Sequence, residues 1–161
     1  MIQGIWFDMD GTIADLYGVE GWLEKLREED VTPYQEARPL VDMRALENLL
    51  YAFDAMGVYV GVISWSAMDD SKEYRQAVRR AKRAWIRANC PILGKACHVV
   101  KYGTPKHRVT CNDRSGVLVD DNAEVREAWG GQTIAAKPDT LLRDLESLLW
   151  QVIQERTCAE D

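Results

Sequence analysis

The sequence predicts an α/β fold, a five-stranded parallel sheet between two layers of helices. Three observations predict it. Short, continuous apolar runs recur along the chain, as strands buried on both faces require. Stretches with helical periodicity separate these runs, so successive strands are joined by crossovers and not by hairpins. Each run also ends in a polar cluster, as strands do at the loop edge of such a sheet. The 161 residues suffice for one domain. With 47% apolar residues the chain can build a core without disulfides or a structural metal.

Taken in order, Ile2–Phe7 (IQGIWF) reads as the first strand, followed by Asp8-Met9-Asp10-Gly11-Thr12. From Ile13 to Leu40 the pattern is irregular. Gly21–Glu29 carries Trp22, Leu23 and Leu26 on one helical face, Val31-Thr32-Pro33 breaks it, and Pro39 bounds the region. Met43, Leu46, Leu49, Leu50 and Phe53 then recur at helical spacing until Gly57 ends the helix. Val58–Ile63 (VYVGVI) is the second strand, ending at Ser64. The next helix has Tyr74, Ala77, Val78, Ala81, Ala84, Trp85 and Ala88 as its apolar stripe. His98-Val99-Val100 is the third strand. Thr104-Pro105-Lys106 opens a short helix, since proline suits the first helical position. Val117-Leu118-Val119 is the fourth strand, closed by Asp120-Asp121, and a helix over Ala123–Trp129 stops at Gly130-Gly131. Thr133–Ala136 is the fifth strand and Asp139–Glu155 the last helix. The expected architecture is a three-layer α/β/α sandwich with a Rossmann-like sheet, one domain over 1–161 with a small helical insert at about 13–40.

Composition narrows the function. Lys and Arg total 20 against 26 Asp and Glu, a net charge of -6, which excludes a general nucleic-acid coating protein. No run approaches the ~18 apolar residues of a membrane span. The start, MIQGIWFDMDG, lacks the basic and apolar segments of a secretory signal. The expectation is a soluble, cytoplasmic domain with no membrane partner. Cys90, Cys97, Cys111 and Cys158 form no CxxC pair, and His98 and His107 are the only imidazoles, so reduced, partly buried thiols are expected and no zinc site. Most of the six tryptophans, Trp6, Trp85, Trp129 and Trp150 among them, fall at core positions; Trp22 and Trp65 are placed to line a pocket.

The chemistry collects where an open parallel sheet binds ligands, beyond the carboxyl ends of its strands. Asp8 and Asp10 follow the first strand, Ser64 and Ser66 the second, Lys101 and Lys106 the third, Asp120 and Asp121 the fourth. Singly, each suits a turn or a cap. Together, carboxylates at this density need a cation to offset their repulsion. Oxygen-only ligands select a hard one, Mg2+ first. Gly11 allows close backbone approach to a ligand. A cation, a lysine, a hydroxyl and loop amides together describe a phosphoryl-transfer site.

These residues resemble the motifs of the haloacid dehalogenase superfamily of phosphohydrolases. Asp8-Met9-Asp10-Gly11-Thr12 is similar to the first motif, Ser64 to the second, Lys106 to the third and Asp120-Asp121 to the fourth, over roughly 2–136. Lys101 is the alternative to Lys106, which the helix start at Thr104-Pro105 favours. The resemblance implies that Asp8 is the nucleophile that forms an aspartyl-phosphate, and that Asp10 is general acid and then general base. It implies phosphate or substrate contacts from Gly11, Thr12, Ser64, Trp65 and Lys106, with Lys106 offsetting transition-state charge. Mg2+ would be held by Asp8, the backbone carbonyl of Asp10, Asp120 and Asp121, the last through water or else orienting Lys106. Trp65 departs from the family, which often has a small or amide-bearing residue there. The expected function is Mg2+-dependent hydrolysis of a small phosphomonoester, such as a nucleotide. A phosphotransferase or phosphomutase and a non-enzymatic phosphate-binding regulatory module are the alternatives.

The insert is small for a lid, which favours a substrate large enough to cover the site or completion by a partner subunit. Ile13–Gly18 locally resembles the deoxyribonucleotidase branch, with Asp15 and Tyr17 either touching substrate or packing the lid. The helix over Lys72–Arg87 holds Lys72, Arg75, Arg79, Arg80, Lys82, Arg83 and Arg87, expected as an exposed positive face. Two readings stay open for it, a solvated surface or a docking patch for a polyphosphate or nucleic acid.

Overall fold

Strands buried on both faces must pair all their backbone groups with one another. Here they do so in one sheet. The computed structural model describes residues 1–68, 71–109 and 116–158. Its central strand, β1 (Gly4–Phe7), is followed by an insert made of β2 (Ala14–Asp15), α1 (Trp22–Arg27), α2 (Thr32–Glu36) and β3 (Arg38–Pro39). Next come α3 (Met43–Ala55), β4 (Tyr59–Trp65), α4 (Lys72–Asn89), a 3-10 turn at Pro91–Ala96 and β5 (Cys97–Val100). A second 3-10 turn at Lys106–Arg108 precedes β6 (Val117–Asp120), α5 (Ala123–Trp129), β7 (Thr133–Ala135) and α6 (Leu141–Thr157). The five-stranded sheet has the order β5-β4-β1-β6-β7, and every pairing in it is parallel.

Alternation along the strands divides the core. Ile5, Phe7, Val62 and Val119 pack against Leu46, Leu50 and Phe53 of α3 and Leu145 and Leu148 of α6. Trp6, Ile63 and Leu118 face the other way, onto Ala96 and Trp129. The α3 start is fixed by Asp42, whose carboxylate accepts from the amides of Arg44 (2.9 Å) and Ala45 (3.1 Å). Its end is fixed by Gly57 at φ 70, with its N–H on the Asp54 carbonyl. Leaving β1, the chain first builds β4 and β5 on one side and then β6 and β7 on the other. The crevice at that reversal lies at the carboxyl ends of β1, β4 and β6.

The insert is tied down at both ends. Its neck is the antiparallel pair Ala14–Pro39 and Asp15–Arg38. Its body leans on α4: Ser71 bonds Glu29 through both N–H and hydroxyl (2.8 Å each), Tyr74 donates to the Asp30 carbonyl (2.9 Å), and Trp85 to that of Ala37 (2.7 Å).

Three expectations need correction. Pro33 does not just end a helix; it lies in the first turn of α2, where its missing N–H costs no bond. The buried face of α4 is Tyr74, Val78, Ala81, Lys82, Trp85 and Ile86, while Ala84 and Ala88 are exposed. The face has rotated because α4 packs on the insert as well as on the sheet side. Trp150 is 65% exposed on the outer face of α6 and is not core. Cys90 is buried, Cys97 half-buried and Cys158 exposed, all as free thiols; Cys111 lies outside the described residues. No helix among the described residues is long and apolar enough to cross a membrane.

Candidate active site

Strand register alone puts two of the acids side by side. Phe7 stands level with Val119, so Asp8 and Asp120 occupy the next rung, where the Asp8 amide bonds the Val119 carbonyl at 2.8 Å. Two buried carboxylates this close need a cation between them. Lys106 supplies it, with Nζ 2.6 Å from Asp8 Oδ1 and 2.6 Å from Asp120 Oδ2. Pro105 and the 3-10 turn hold Lys106 buried at this point, whereas Lys101 sits on the exposed surface. Asp120 Oδ1 accepts from the Asn122 amide at 2.9 Å, which fixes the second carboxylate oxygen.

Gly11 and Thr12 shape this loop and spend their own polar groups doing so. Gly11 has φ 78, and a Cβ there would fall 2.5 Å from Asp121 Oδ2 and 2.7 Å from Tyr17 Cε2, so only glycine fits. Its N–H goes to the Ala14 carbonyl (2.8 Å), and that of Thr12 to Met9 (3.2 Å). The Thr12 hydroxyl donates to Asp121 Oδ1 (3.4 Å) and accepts from the Asp121 amide (3.2 Å). Both residues thus position Asp121, and their amides are satisfied within the loop. Asp15 is likewise spent locally, its carboxylate accepting from Gly18 N–H at 2.9 Å.

Asp10 pairs with a different ammonium. Its Oδ2 lies 2.5 Å from Lys82 Nζ, and the same ammonium donates to Ser64 Oγ (2.9 Å) and to the Trp65 carbonyl (2.6 Å). Lys82 is 0% exposed, so it is no part of the exposed positive face expected for α4. Its head group has left solvent because Asp10 and the end of β4 replace water around it. Ser64 is also fully buried behind the cleft, and the hydroxyl that lines the cleft is that of Ser66. Ser66 Oγ is buried and has no hydrogen-bond partner among the described residues.

Carboxylate oxygens of Asp8, Asp120 and Asp121 lie within 4.8 Å of one another, an all-oxygen donor set. Burial first, and the Asp8 charge second, push Asp120 up to about 6 against the pull of Lys106. Asp121 is raised for the same two reasons. Asp10 is raised mainly by burial, with Lys82 opposing. Burial alone would lower Lys106, but Asp8 and Asp120 outweigh it and hold it above its ordinary value. Three acids near one ammonium, two of them bonded to it, leave an excess of negative charge, and the set fits a hard divalent cation.

The sign for stability follows. Asp120 binds its proton more tightly folded than unfolded, so its contribution to folding falls as pH rises from about 4 to about 6 and is flat above. A divalent cation held by these carboxylates would compete with that proton. The rise in thermal midpoint on adding Mg2+ is therefore expected to be larger at about pH 7 than at about pH 5, and to keep in Asp120→Asn only the smaller pH dependence that Asp121 leaves. Scanning fluorimetry with Mg2+ and with chelator checks it; a rise equal at both pH values would remove Asp120 from the cation site.

The acids open onto a cleft of about 450 Å³. The insert contributes Tyr17 and Trp22, ring centroids 5.0 Å apart and edge-on, with Arg27 and Tyr34. The sheet edge contributes Trp65 and Tyr102, also 5.0 Å apart. Trp65 is held by its indole N–H on the Thr104 carbonyl (2.8 Å), and Lys106 Nζ lies 5.5 Å from its ring centroid. Sequence reasoning placed Ser66 at this edge but gave the phosphate contact to Ser64, and it did not select Lys82, Tyr34, Tyr102 or Arg27 for the site. For Lys82 a signal existed: it stands four residues after Val78 and eight after Tyr74, in the middle of the buried stripe. No protein-family model matches the chain, and no curated protein matches it either.

Proposed function

We propose that the chain is a Mg2+-dependent phosphohydrolase of the haloacid dehalogenase type, which cleaves a phosphomonoester through an aspartyl-phosphate on Asp8. The observation that carries this reading is the separation of Asp8 from Asp10. Two acids two residues apart are each held by their own buried lysine, Lys106 and Lys82, at the edge of one cleft. Such a division suits two chemical roles, a nucleophile and a proton carrier.

In the first step a carboxylate oxygen of Asp8 bonds to phosphorus as the bond from phosphorus to the leaving oxygen breaks. The leaving oxygen takes a proton from Asp10. In the second step water attacks phosphorus, Asp10 takes the proton released, and the bonding pair returns to Asp8 with inorganic phosphate as product. Lys106 stays beside Asp8 throughout and offsets the charge that gathers on the phosphoryl oxygens. Ser66 offers its unpartnered hydroxyl to one of those oxygens. Asp8, Asp120 and Asp121 would hold Mg2+, which when bound supplies further positive charge for the phosphoryl group.

The cleft suits a leaving group that carries a flat ring. Tyr17, Trp22, Trp65 and Tyr102 give it aromatic edges and faces, each ring contact worth about 0.5–1.5 kcal/mol beyond area burial. Arg27 can pair a further anionic or carbonyl group, and a nucleoside monophosphate meets both requirements. Phosphate release from p-nitrophenyl phosphate and a panel of nucleotides is expected with Mg2+ and absent with chelator. No release from any ester of the panel would end this reading.

A further inference from the structure

We infer that Lys82 is a positioning residue for the proton-transfer step, holding Asp10 so that one defined oxygen, Oδ1, meets the leaving group. The inference rests on the proposed function. An ammonium carries three N–H donors, and each of the three in Lys82 has an acceptor: Asp10 Oδ2, Ser64 Oγ and the Trp65 carbonyl. The group has no donor left for a substrate, so it acts through Asp10. Burying a cation this far is costly, and an apolar side chain of similar length would fill the same space in α4 without that cost. What the ammonium does and methionine cannot is anchor a carboxylate.

The anchored carboxylate is asymmetric. Asp10 lines the cleft; its Oδ2 is taken by Lys82, while its Oδ1 is buried with no hydrogen-bond partner among the described residues. When the bond from phosphorus to the leaving oxygen breaks, the proton passes from Oδ1 to that oxygen, and Oδ2 keeps its bond to Lys82. Without the anchor the carboxylate can turn about its side-chain bonds, and alignment of the proton donor is lost. The same ammonium lies 5.0 Å from the ring centroid of Tyr34 in α2, so the insert packs directly on the anchor. Lys82 thus joins three parts: the acid after β1, the end of β4 and the insert.

A positioning role shows in the leaving-group dependence, which a loss of general stability would not change. An acidic phenol departs with little need of a proton, whereas an alkoxide needs one. Lys82→Met is expected to lower kcat/KM for an alkyl phosphate about a hundredfold more than for p-nitrophenyl phosphate, with KM changed little. In an Asp10→Asn background the same substitution is expected to add no further selectivity. Equal losses on both esters, or a selective loss that persists without Asp10, would overturn the inference. Lys82→Arg keeps the charge and is the second variant. If neither the Met nor the Arg chain folds by circular dichroism, the lysine serves stability and the inference falls. If the wild type hydrolyses no ester, the proposed function fails on its own, and a crystal structure of Lys82→Met still decides this point. A turned Asp10 carboxylate upholds the anchor, and an unmoved one removes it.

Discussion

Asp8→Asn is expected to give a folded protein that releases no phosphate. The amide has no anionic oxygen to attack phosphorus, so turnover should fall about a thousandfold or more, to the background of the assay. The fold should be nearly unaffected. Lys106 keeps its second carboxylate partner, Asp120 Oδ2 at 2.6 Å, and the amide oxygen of the new side chain can still accept from the ammonium. Removing the Asp8 charge also relieves Asp120 and Asp121, both of which that charge pushes upward. The thermal midpoint is therefore expected to stay within a few degrees of wild type or to rise. Phosphate release at saturating Mg2+, measured beside the thermal midpoint, checks both halves. A variant that keeps most of its Mg2+-dependent activity would take the nucleophile away from Asp8.

Much of this site is legible in the sequence because strand ends are legible. A parallel sheet turns each apolar run into a strand and brings the polar residues after it to one edge, so Asp8, Asp120 and Asp121 meet without any knowledge of the turns between them. Lys101 and Lys106 could not be separated by spacing, since both follow the same strand; the 3-10 turn after Pro105 buries the second and leaves the first in solvent. Lys82 was hidden by a sound rule. A charge on an amphipathic helix belongs to its solvated face unless something replaces the water, and what replaces it here comes from the loop after β1 and from the end of β4, outside the helix. Gly11 carries a demand that its residue type does not announce. Its type and place fit an amide cradle for phosphate, yet its conformation serves the close approach of Asp121 and Tyr17. The aromatic lining of the cleft is legible only in part: Trp22 and Trp65 are marked as pocket-lining and Tyr17 as a candidate, whereas Tyr34 and Tyr102 carry no such mark, since the insert meets the sheet edge only once α4 has fixed it in place.

The second large effect concerns stability as much as rate. Lys106→Met is expected to destabilise the fold by about 3–5 kcal/mol at neutral pH, because it strips the cation from two buried carboxylates on one rung of the sheet. Methionine replaces the stem of the lysine well, so packing explains little of the loss. The charge explanation has a sign that can be tested. As pH falls toward about 6, Asp120 in the variant, freed from the downward pull of Lys106, takes up a proton before it does in wild type and the repulsion it shares with Asp8 fades, so the deficit relative to wild type should shrink. A divalent cation at the same carboxylates should shrink it too, at neutral pH and less so in acid. Catalysis should not return with stability, since the fixed ammonium beside Asp8 is gone and about a hundredfold or more in rate with it. Urea midpoints at about pH 5 and about pH 7, with Mg2+ and with chelator, separate the cases. A deficit that is the same in all four conditions would mean that Lys106 is held for its shape. A deficit that closes in acid and with Mg2+ would mean that it stands in the sheet edge as a counter-charge.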